Sequence, residues 1–429
     1  MKFFILPVLF LALMIKVCHA DDYWTAVQSP TTKTLKKITF LNVNTGWMTG
    51  DSGVIIKTTN AGVNWLVQDS KITNDIHSHF FLNERIGWAL AWEVNFGSEI
   101  YPGTIILRTS DGGNNWTNAL YPDTNYYFST VYFLDSLRGF LGGIPKFLLY
   151  TTNGGTSWNE VDSDSIKTDG YPAKKISFIN ATTGYAVGGL MDLGGLIWKT
   201  TNAGINWRSS PVGPDALTDI FFYGQDTIFL ASGDFKFGAT YYRSIDNGQS
   251  WTNYDLGYFG IVTALKFRTK KEGWMTIGYQ QKFFLTTNGG NNWIKFDPPD
   301  NSQNFDFSFP DSTHGWSAGV NGKILKYTRL VNIQNEYIEN PGFRLYQNYP
   351  NPFNPSTEII FSIESKSRVK ITVYDILGKE IAVVTERIYN PGNYKITFDA
   401  ATQNLPSGIY LYELNTGTHK QINKMMLLK

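Results

Sequence analysis

Four carboxylates lie in segments that the sequence predicts to be long loops, where two of them could act together on a glycosidic bond. They are Glu93, Glu99, Asp192 and Asp234. Hydrolysis of such a bond needs two carboxyl groups that face each other across the sugar. Because loop carboxylates are usually just solvated, catalysis by these residues is an alternative and not our first expectation.

Two histidines, His77 and His79, would share one face of a regular strand and could form half of a metal site. Only Asp75 is nearby as a third ligand, so we expect no metal and no cofactor. Arg108 and Arg243 occupy a repeated strand position, so they do not suggest three arginines that converge on a substrate carboxylate. We find no phosphate-binding glycine loop, dinucleotide fingerprint or Ser–His–Asp spacing.

An eight-residue motif that occurs six times sets the organisation of the chain. It has Ser or Thr first, Asn or Asp third, Gly fifth and Trp eighth, and its tryptophans lie 51, 42, 49, 44 and 42 residues apart. Repeats of roughly 40–45 residues are typical of β-propeller blades. The third position is occupied by Asn60, Asp111, Asn153, Asn202, Asp246 and Asn288.

The chemistry of this motif is that of a turn. We expect the Asn or Asp side chain to accept hydrogen bonds from backbone N–H groups two or three residues on, while Gly supplies a left-handed conformation. Four copies carry an amide and two carry an acid, which argues against acid–base chemistry there. The motif resembles the Asp-box, or BNR repeat, of sialidase-type propellers, and we predict a structural role for all six residues.

A second sequence pattern precedes each motif. It consists of an apolar strand that ends in Phe and a Gly six residues later, which is usually followed by an aromatic residue. A degenerate copy with Phe222 and Phe229 brings the number to seven. Each unit then holds four short strands. The seventh lacks the eight-residue motif, and residues 23–27 look like its missing fourth strand. We predict an all-β, seven-bladed β-propeller over residues 21–328, closed by this N-terminal strand.

The combined repeat, Gly-Trp-x-x-Gly followed by Lys-Thr-Thr-Asn-x-Gly-x-x-Trp, resembles the propeller family of photosystem II stability and assembly factors more than the sialidases. The resemblance covers about 300 residues. The resemblance implies the propeller fold. That family acts as a scaffold for membrane-protein assembly, so the resemblance also suggests an alternative function, a scaffold for the assembly of envelope proteins.

Both ends of the chain predict export. Residues 1–20 are a predicted signal peptide that contains Cys18, the only cysteine. Residues 329–342 are a predicted linker, and residues 343–429 alternate as a small Ig-like β-sandwich. This tail resembles the C-terminal sorting domain of type IX (Por) secretion cargo. The residues that carry the resemblance include Tyr349, Pro350, Asn351, Pro352, Gly378, Gly408, Tyr410, Lys424 and Lys429.

The resemblance of the tail implies a chain that the type IX secretion machinery releases or displays on the cell surface. The formal net charge is +1, so no basic surplus points to nucleic acid. We expect no transmembrane segment after removal of the signal peptide, and a monomer.

Aromatic residues in the predicted long loops and inter-blade links could form a binding platform, since loops on a rigid scaffold are where binding usually resides. We therefore predict non-catalytic binding of an extracellular glycan or protein. The alternatives are a sialidase- or endoglucanase-like glycoside hydrolase that uses the loop carboxylates, and the envelope scaffold. The candidate ligand-binding residues are Trp92, Phe96, Tyr101, Tyr126, Tyr127, Phe235 and Phe237.

Overall fold

The computed structural model describes residues 23–93, 103–161, 170–236, 238–328, 343–348 and 350–428. By its internal contacts the chain divides into two compact units, Met1–Leu330 and Val331–Lys429. The described residues of both units form β-strands, joined by turns and by short 3-10 helices. The 3-10 helices span Asp51–Gly53, Gly278–Gln280, Pro299–Asn301 and Val320–Gly322.

Strands of the first unit are short, as expected of a chain rich in aromatic residues and glycine. In chain order they are β1 (Trp24–Val27), β2 (Leu35–Phe40), β3 (Gly46–Gly50), β4 (Ile55–Thr58), β5 (Leu66–Gln68), β6 (Ile76–Phe81), β7 (Gly87–Trp92), β8 (Thr104–Thr109), β9 (Thr117–Leu120), β10 (Tyr127–Phe133), β11 (Gly139–Ile144), β12 (Leu148–Thr151), β13 (Asn159–Glu160), β14 (Ala173–Phe178), β15 (Gly184–Leu190), β16 (Gly194–Thr200), β17 (Arg208–Pro211), β18 (Asp219–Tyr223), β19 (Thr227–Asp234), β20 (Ala239–Ser244), β21 (Thr252–Asp255), β22 (Gly260–Ile261), β23 (Ala264–Phe267), β24 (Gly273–Ile277), β25 (Lys282–Thr286), β26 (Ile294–Phe296), β27 (Asn304–Ser308), β28 (Trp316–Gly319) and β29 (Ile324–Tyr327).

These strands form antiparallel sheets in which neighbours along the chain are neighbours in space. The sheets are β2–β5, β6–β9, β10–β13, β14–β17, β18–β21, β23–β26 and the sheet ordered β1-β29-β28-β27, while β22 adds to β19. The first strand of each sheet contacts the first strand of the next, and β27 contacts β2. The sheets therefore follow one another around a common centre, with the first strands innermost.

One aromatic contact between neighbouring sheets recurs around this arrangement. The ring of Phe40, which ends β2, stacks on Trp316 of the preceding sheet with centroids 3.7 Å apart, and meets the edge of Trp65 at 5.8 Å. Gly46 begins the next strand because a Cβ there would lie 2.6 Å from the Phe40 ring. The same stacking joins Trp47 to Phe81 at 3.9 Å and Trp88 to Phe133 at 3.5 Å. The spacing of Phe and Gly in the sequence thus reflects one packing unit.

Basic side chains cover the outer side of several of these rings. Lys57 Nζ lies 5.0 Å from the centre of the Trp47 ring and donates a hydrogen bond to the carbonyl of Gly112 in the next sheet, at 3.0 Å. Arg108 lies over Trp88, and Arg243 over Phe229. These contacts explain the repeated basic strand position, since each basic side chain packs over a ring of its own sheet. The hydrogen bond from Lys57 also ties its sheet to the next one.

The N-terminal strand completes the last of these sheets. β1 pairs antiparallel with β29, with Trp24 opposite Tyr327, which confirms the pairing that the sequence predicts. Trp24 is fully buried, and its ring lies 5.3 Å from those of Trp274 and Phe307. Its ring centre is also 5.8 Å from Phe309, which matches the contact between Trp65 and Phe40 in the first sheet. Trp24 therefore takes the place of the missing motif tryptophan.

The second unit has two sheets around one hydrophobic core. The strands are β30 (Arg344–Leu345), β31 (Ser356–Ile363), β32 (Ser367–Tyr374), β33 (Glu380–Tyr389), β34 (Gly392–Asp399), β35 (Gly408–Asn415) and β36 (Lys420–Leu427). One sheet is ordered β30-β31-β34 and the other β33-β32-β35-β36. Buried residues from both sheets, among them Phe361 and Tyr412, belong to the same cluster.

The segment that leads into this unit is tied to its interior and to its last strand. Asn348 is buried, and its amide group donates to Thr357 Oγ1 at 2.9 Å while its backbone N–H donates to the Tyr412 hydroxyl at 2.7 Å. Asn351 accepts a hydrogen bond from the backbone N–H of Met426 at 2.8 Å. The Asn-Pro motif of the tail thus fastens the start of the unit to its end.

Replacing Trp24 by alanine should destabilise the first unit by about 3–5 kcal/mol, because the change empties a fully buried aromatic site. All 13 tryptophans lie in this unit, so tryptophan fluorescence during urea unfolding reports on it. Leu137→Ala, at a side chain that is 56% exposed, is the control and should change the free energy of unfolding by less than about 0.5 kcal/mol. Equal effects of the two changes would contradict the role of Trp24.

Candidate functional site

The exposed aromatic residues gather at one end of the first unit. In an antiparallel four-stranded sheet, the turn between the second and third strands lies at the same end as the link to the next sheet. We call this end the link face and the opposite end the box face. The exposed aromatics of the described residues all lie at the link face: Trp92 (40% exposed), Phe235 (45%), Phe259 (50%) and Tyr279 (60%).

Among these residues, Trp92 has the contacts that best suit a ligand-binding side chain. It ends β7, and its indole N–H donates to the Phe128 carbonyl at 2.9 Å. Its ring lies 4.5 Å from the His77 ring and meets Tyr127 edge-on at 6.3 Å. One side of the ring is therefore fixed by neighbours while the rest stays open to solvent, which suits an anchor for a ligand.

The other predicted aromatics divide between packing and exposure. Tyr126 packs on Tyr121 and Phe128, with ring centroids 5.5 and 5.6 Å away, and its hydroxyl donates to Glu160 at 3.2 Å. Burial, followed by the bond to Glu160, raises the pKa of Tyr126 to about 12. Phe235 faces Phe259 at 6.0 Å, a residue that sequence reasoning missed. Among the described residues, no ring contact joins this pair to Trp92.

Two of the predicted long loops are tight hairpins instead. β15 runs to Leu190 and β16 begins at Gly194, so most of residues 188–195 is paired strand. Likewise, β19 extends to Asp234 and β20 begins at Ala239. Glycines at both ends of each turn concealed this extension, since they suggested a flexible loop.

Two of the predicted carboxylates, Asp192 and Asp234, meet in the structure. Together with Asp215 they place one oxygen each within 4.8 Å of one another, an arrangement that could hold a cation. Asp215 accepts from the Asp192 N–H at 3.1 Å, and Asp234 Oδ1 accepts from the backbone N–H groups of Lys236 and Gly238. Asp215 lies in a link, where no motif or spacing marked it. The expectation of no metal stays a prediction.

The remaining predicted residues are more scattered. Glu93 follows Trp92 and accepts a hydrogen bond from the Asn74 amide at 3.0 Å, away from any second described candidate carboxylate. In the tail, Gly408 begins β35, and Tyr410 donates to the Pro406 carbonyl at 2.8 Å. Other predicted positions lie outside the described residues: Phe96, Glu99, Tyr101, Phe237, Tyr349, Lys429, the signal peptide with Cys18, and the linker 329–342.

The eight-residue motif is a turn at the box face, and its hydrogen bonds differ in part from the prediction. Asn60 Oδ1 accepts from the backbone N–H of Asn64, four residues on. The predicted bond from three residues on is present in the Asp246 copy. Thr58 Oγ1 accepts from the Gly62 N–H at 3.0 Å and donates to Asn60, so the first residue of the motif is its centre. The same four-residue bond recurs in the other copies.

The two acidic copies of the motif are held in the ionised form. Hydrogen bonds from the side chain and backbone of Asn115 lower the pKa of Asp111 to about 2. Bonds from Ser244 and Ser250 lower the pKa of Asp246 further. A carboxylate held in this way is a poor proton donor at neutral pH, which agrees with a turn role.

The suggested His77–His79 half-site is wrong because the strand is irregular. A register shift between Ile76 and Ser78 places a β-bulge at His77, so the two side chains do not share a face. His77 bonds to the Phe128 carbonyl, and His79 bonds to the hydroxyls of Thr39 and Thr49 at 2.9 and 2.8 Å. Burial lowers the pKa of His79 to about 3 and that of His77 to about 4.

Two family models match the chain. "Photosynthesis system II assembly factor YCF48" matches residues 17–117 and 89–214, and "Secretion system C-terminal sorting domain" matches residues 347–428. The chain therefore joins a unit that is similar to the YCF48 family to a tail that is similar to secretion sorting domains. The two matches fall in different units, in the order that the sequence predicts.

A curated relative supports the first match. Over 190 residues the chain is 27% identical to the photosystem II stability/assembly factor HCF136 of Arabidopsis thaliana, which is 43% of this chain and 39% of the relative. The chain thus spans about two fifths of the length of that relative. It is also 24% identical to the photosystem II assembly lipoprotein Ycf48 of a Synechococcus strain over 230 residues, 52% of this chain and 66% of that protein.

Solved structures show the propeller fold. YCF48 bound to a D1 peptide superposes with a TM-score of 0.56 at 18% identity, covering 71% of this chain and 96% of that one. A xyloglucanase of Xanthomonas campestris gives 0.57 at 12% identity, covering 79% and 59%. Since an assembly factor and a hydrolase share this fold, the fold alone does not decide the function, which has to be argued from the site. Within the described residues, no helix is long and apolar enough to cross a membrane.

The partly buried histidines should make the first unit sensitive to acid. The unfolded chain binds a proton at His79 near pH 6.5, whereas the folded unit binds it near pH 3, so stability falls as the pH drops between these values. Between pH 6 and pH 4, His79→Gln should reduce the slope of unfolding free energy against pH by up to about 1.4 kcal/mol per unit.

Urea unfolding followed by tryptophan fluorescence measures this slope. His419→Gln, in the second unit, is the matched control and should leave the slope unchanged. Equal slopes for His79→Gln and the unmodified protein would contradict a neutral, buried His79.

Proposed function

We propose that this protein is an exported, non-catalytic binding propeller whose link face holds a segment of an extracellular protein. The observation that carries this proposal is the restriction of the exposed aromatics to the link face, where Trp92, Phe235, Phe259 and Tyr279 lie. The exposed apolar residues of the box-face motifs are aliphatic instead, such as Val63, Ile205 and Ile245. Exposed aromatic side chains are favoured anchors in protein recognition.

The comparison with YCF48 adds a second line of support. One solved YCF48 structure is bound to a D1 peptide, so a propeller of this fold can hold a polypeptide segment. A peptide would use the same kind of aromatic anchors as a glycan, which is the competing ligand class. Hydrolysis is less well supported. Asp234 accepts hydrogen bonds from backbone N–H groups, and Glu93 is not part of the cluster formed by Asp192, Asp215 and Asp234.

We also propose the finer architecture. The seven sheets of the described first unit are the seven blades of one ring that β1 closes, and the two sheets of the second unit form an Ig-like sandwich. Support comes from the sequential contacts of the innermost strands, from the β1–β29 pairing and from the shared core of the tail.

The sorting domain indicates type IX secretion to the cell surface or beyond. We propose that residues 1–20 start this route as a signal peptide, and that the tail contributes no part of the ligand site. The tail then serves export, and the propeller serves binding outside the cell.

Arrays of peptides and glycans, probed with the purified full-length protein, test the ligand class. Trp92→Ala and Phe259→Ala should each weaken peptide binding by about 30-fold or more, as expected for an anchor worth about 2 kcal/mol. Ile205→Ala, at an exposed residue of the box face, should bind normally. Glycan binding that depends on Trp92 would contradict the peptide assignment, and release of reducing sugar that Asp192→Asn abolishes would contradict a non-catalytic role.

Removal of residues 343–429 should block export in a bacterium with type IX secretion. The shortened chain should accumulate in the periplasm, while the full chain reaches the surface or the medium, as immunoblots of cell fractions would show. Normal export of the shortened chain would disprove the role of the tail.

A further inference from the structure

A polar cavity lies at the centre of the first unit, apart from the link-face aromatics. Its volume is about 220 Å³. Because one water occupies about 30 Å³ of liquid, the space suits several waters or one small molecule. Residues of the innermost strands β2, β6, β10, β14 and β27 line it, and it is therefore enclosed by the ring of sheets and not by a single hairpin.

One position of the repeat supplies much of the lining. Three residues before the repeated Phe of each unit, the chain carries Lys37, Ser78, Thr130, Lys175, Asp219, Ala264 and Asp306. Five of these residues line the cavity, namely those on β2, β6, β10, β14 and β27. Since the position repeats around a common centre, residues far apart in sequence converge there.

The cationic side chains of the cavity outnumber the acidic ones. Lys37, Lys174 and Lys175 line it, and none of them forms an ion pair with a carboxylate among the described residues. Burial lowers the pKa of Lys175, and the nearby ammonium groups of Lys266 and Lys37 lower it further, while Asp219 and Asp306 oppose this. Burial also lowers the pKa of Lys174.

The nearby carboxylates are engaged elsewhere. Asp219 forms an ion pair with Lys266 and accepts from the backbone N–H groups of Ile220 and Leu265, each at 3.0 Å. Asp306 accepts from the backbone N–H groups of Ile38 and Phe307 at 3.3 and 2.9 Å. Both carboxylates therefore act on Lys175 through their charge and not through a direct ion pair.

Hydroxyl groups complete the lining without adding charge. Thr39, Ser78, Ser129, Thr130 and Ser177 surround the lysines. Hydroxyls can donate to an anion or accept from a hydroxylated ligand. His79 adds no positive charge near neutral pH, because burial and the nearby ammonium groups of Lys175 and Lys37 lower its pKa to about 3.

We propose that this central cavity binds a small oxyanion, such as the carboxylate of a hydroxylated organic acid or a phosphate group. Lys37 and Lys175 bind its negative oxygens, and the surrounding hydroxyls hold the remaining polar atoms. A bound anion would add to the partial compensation that Asp219 and Asp306 give these ammonium groups. The site is independent of the link face, since no exposed aromatic residue lines it.

Isothermal titration calorimetry of the full-length protein tests this site at low ionic strength. The arms are glucuronate for the carboxylate source, inorganic phosphate for the phosphate source, and chloride as a control for simple charge screening. We expect saturable binding of at least one oxyanion, with a dissociation constant below about 1 mM, and no saturable binding of chloride. The arm that binds identifies the source.

Matched variants separate the cavity from general charge. Lys175→Met and Lys37→Met keep the apolar stem and should each weaken oxyanion binding by about tenfold or more. Lys270→Met removes an exposed lysine and should leave binding unchanged. If one of the two cavity variants fails to fold, the other still tests whether the cavity lysines bind the oxyanion. Absence of oxyanion binding to the unmodified protein, or equal binding by a folded cavity variant, would overturn the proposal.

Discussion

Face-to-face stacking between aromatic rings of neighbouring sheets is the contact on which the first unit depends. In every sheet of this unit except the one that begins with β18, a phenylalanine at or next to the end of the innermost strand fills the space that a glycine leaves. In several sheets a ring from the preceding sheet stacks on this phenylalanine. Hence each sheet is bound to its neighbour more than to any central core. A sequence can vary widely in its turns and still keep the arrangement, provided that Phe, Gly and the covering ring remain.

The parts of the fold that follow from local spacing could be predicted from the sequence. The repeated Phe and Gly located the first two strands of each sheet, the motif tryptophan located the fourth, and the tail strands follow its alternation. The stacking itself could not be predicted, because the ring that covers Phe40 is Trp316, near the other end of the unit. Nothing in the spacing distinguishes a ring that covers its own strand from one that covers the next sheet.

The candidate sites, too, could be predicted from the sequence only where the signal is local. Trp92 was predictable because an aromatic residue beside a long segment is a simple signal. The convergence of Asp192, Asp215 and Asp234, and that of Lys37 with Lys175, arises only when several sheets come together. The β-bulge at His77 had no sequence signal that we recognise, and it reverses the side on which that residue lies. The candidate sites of this chain therefore depend on geometry between repeats more than on motifs within them.

The central claim is that β1 and the interlocked rings make the first unit one closed and rigid scaffold. Hydrogen–deuterium exchange with mass spectrometry on the full-length protein measures this directly, by comparing β1 and β29 with the inner strands of the other sheets. The account predicts that amides of residues 24–27 and 324–327 exchange as slowly as those of β3 and β7, since all belong to one cooperative unit. Exchange of β1 and β29 that is faster by orders of magnitude, with the other sheets still protected, would show that the ring opens there and would contradict the account.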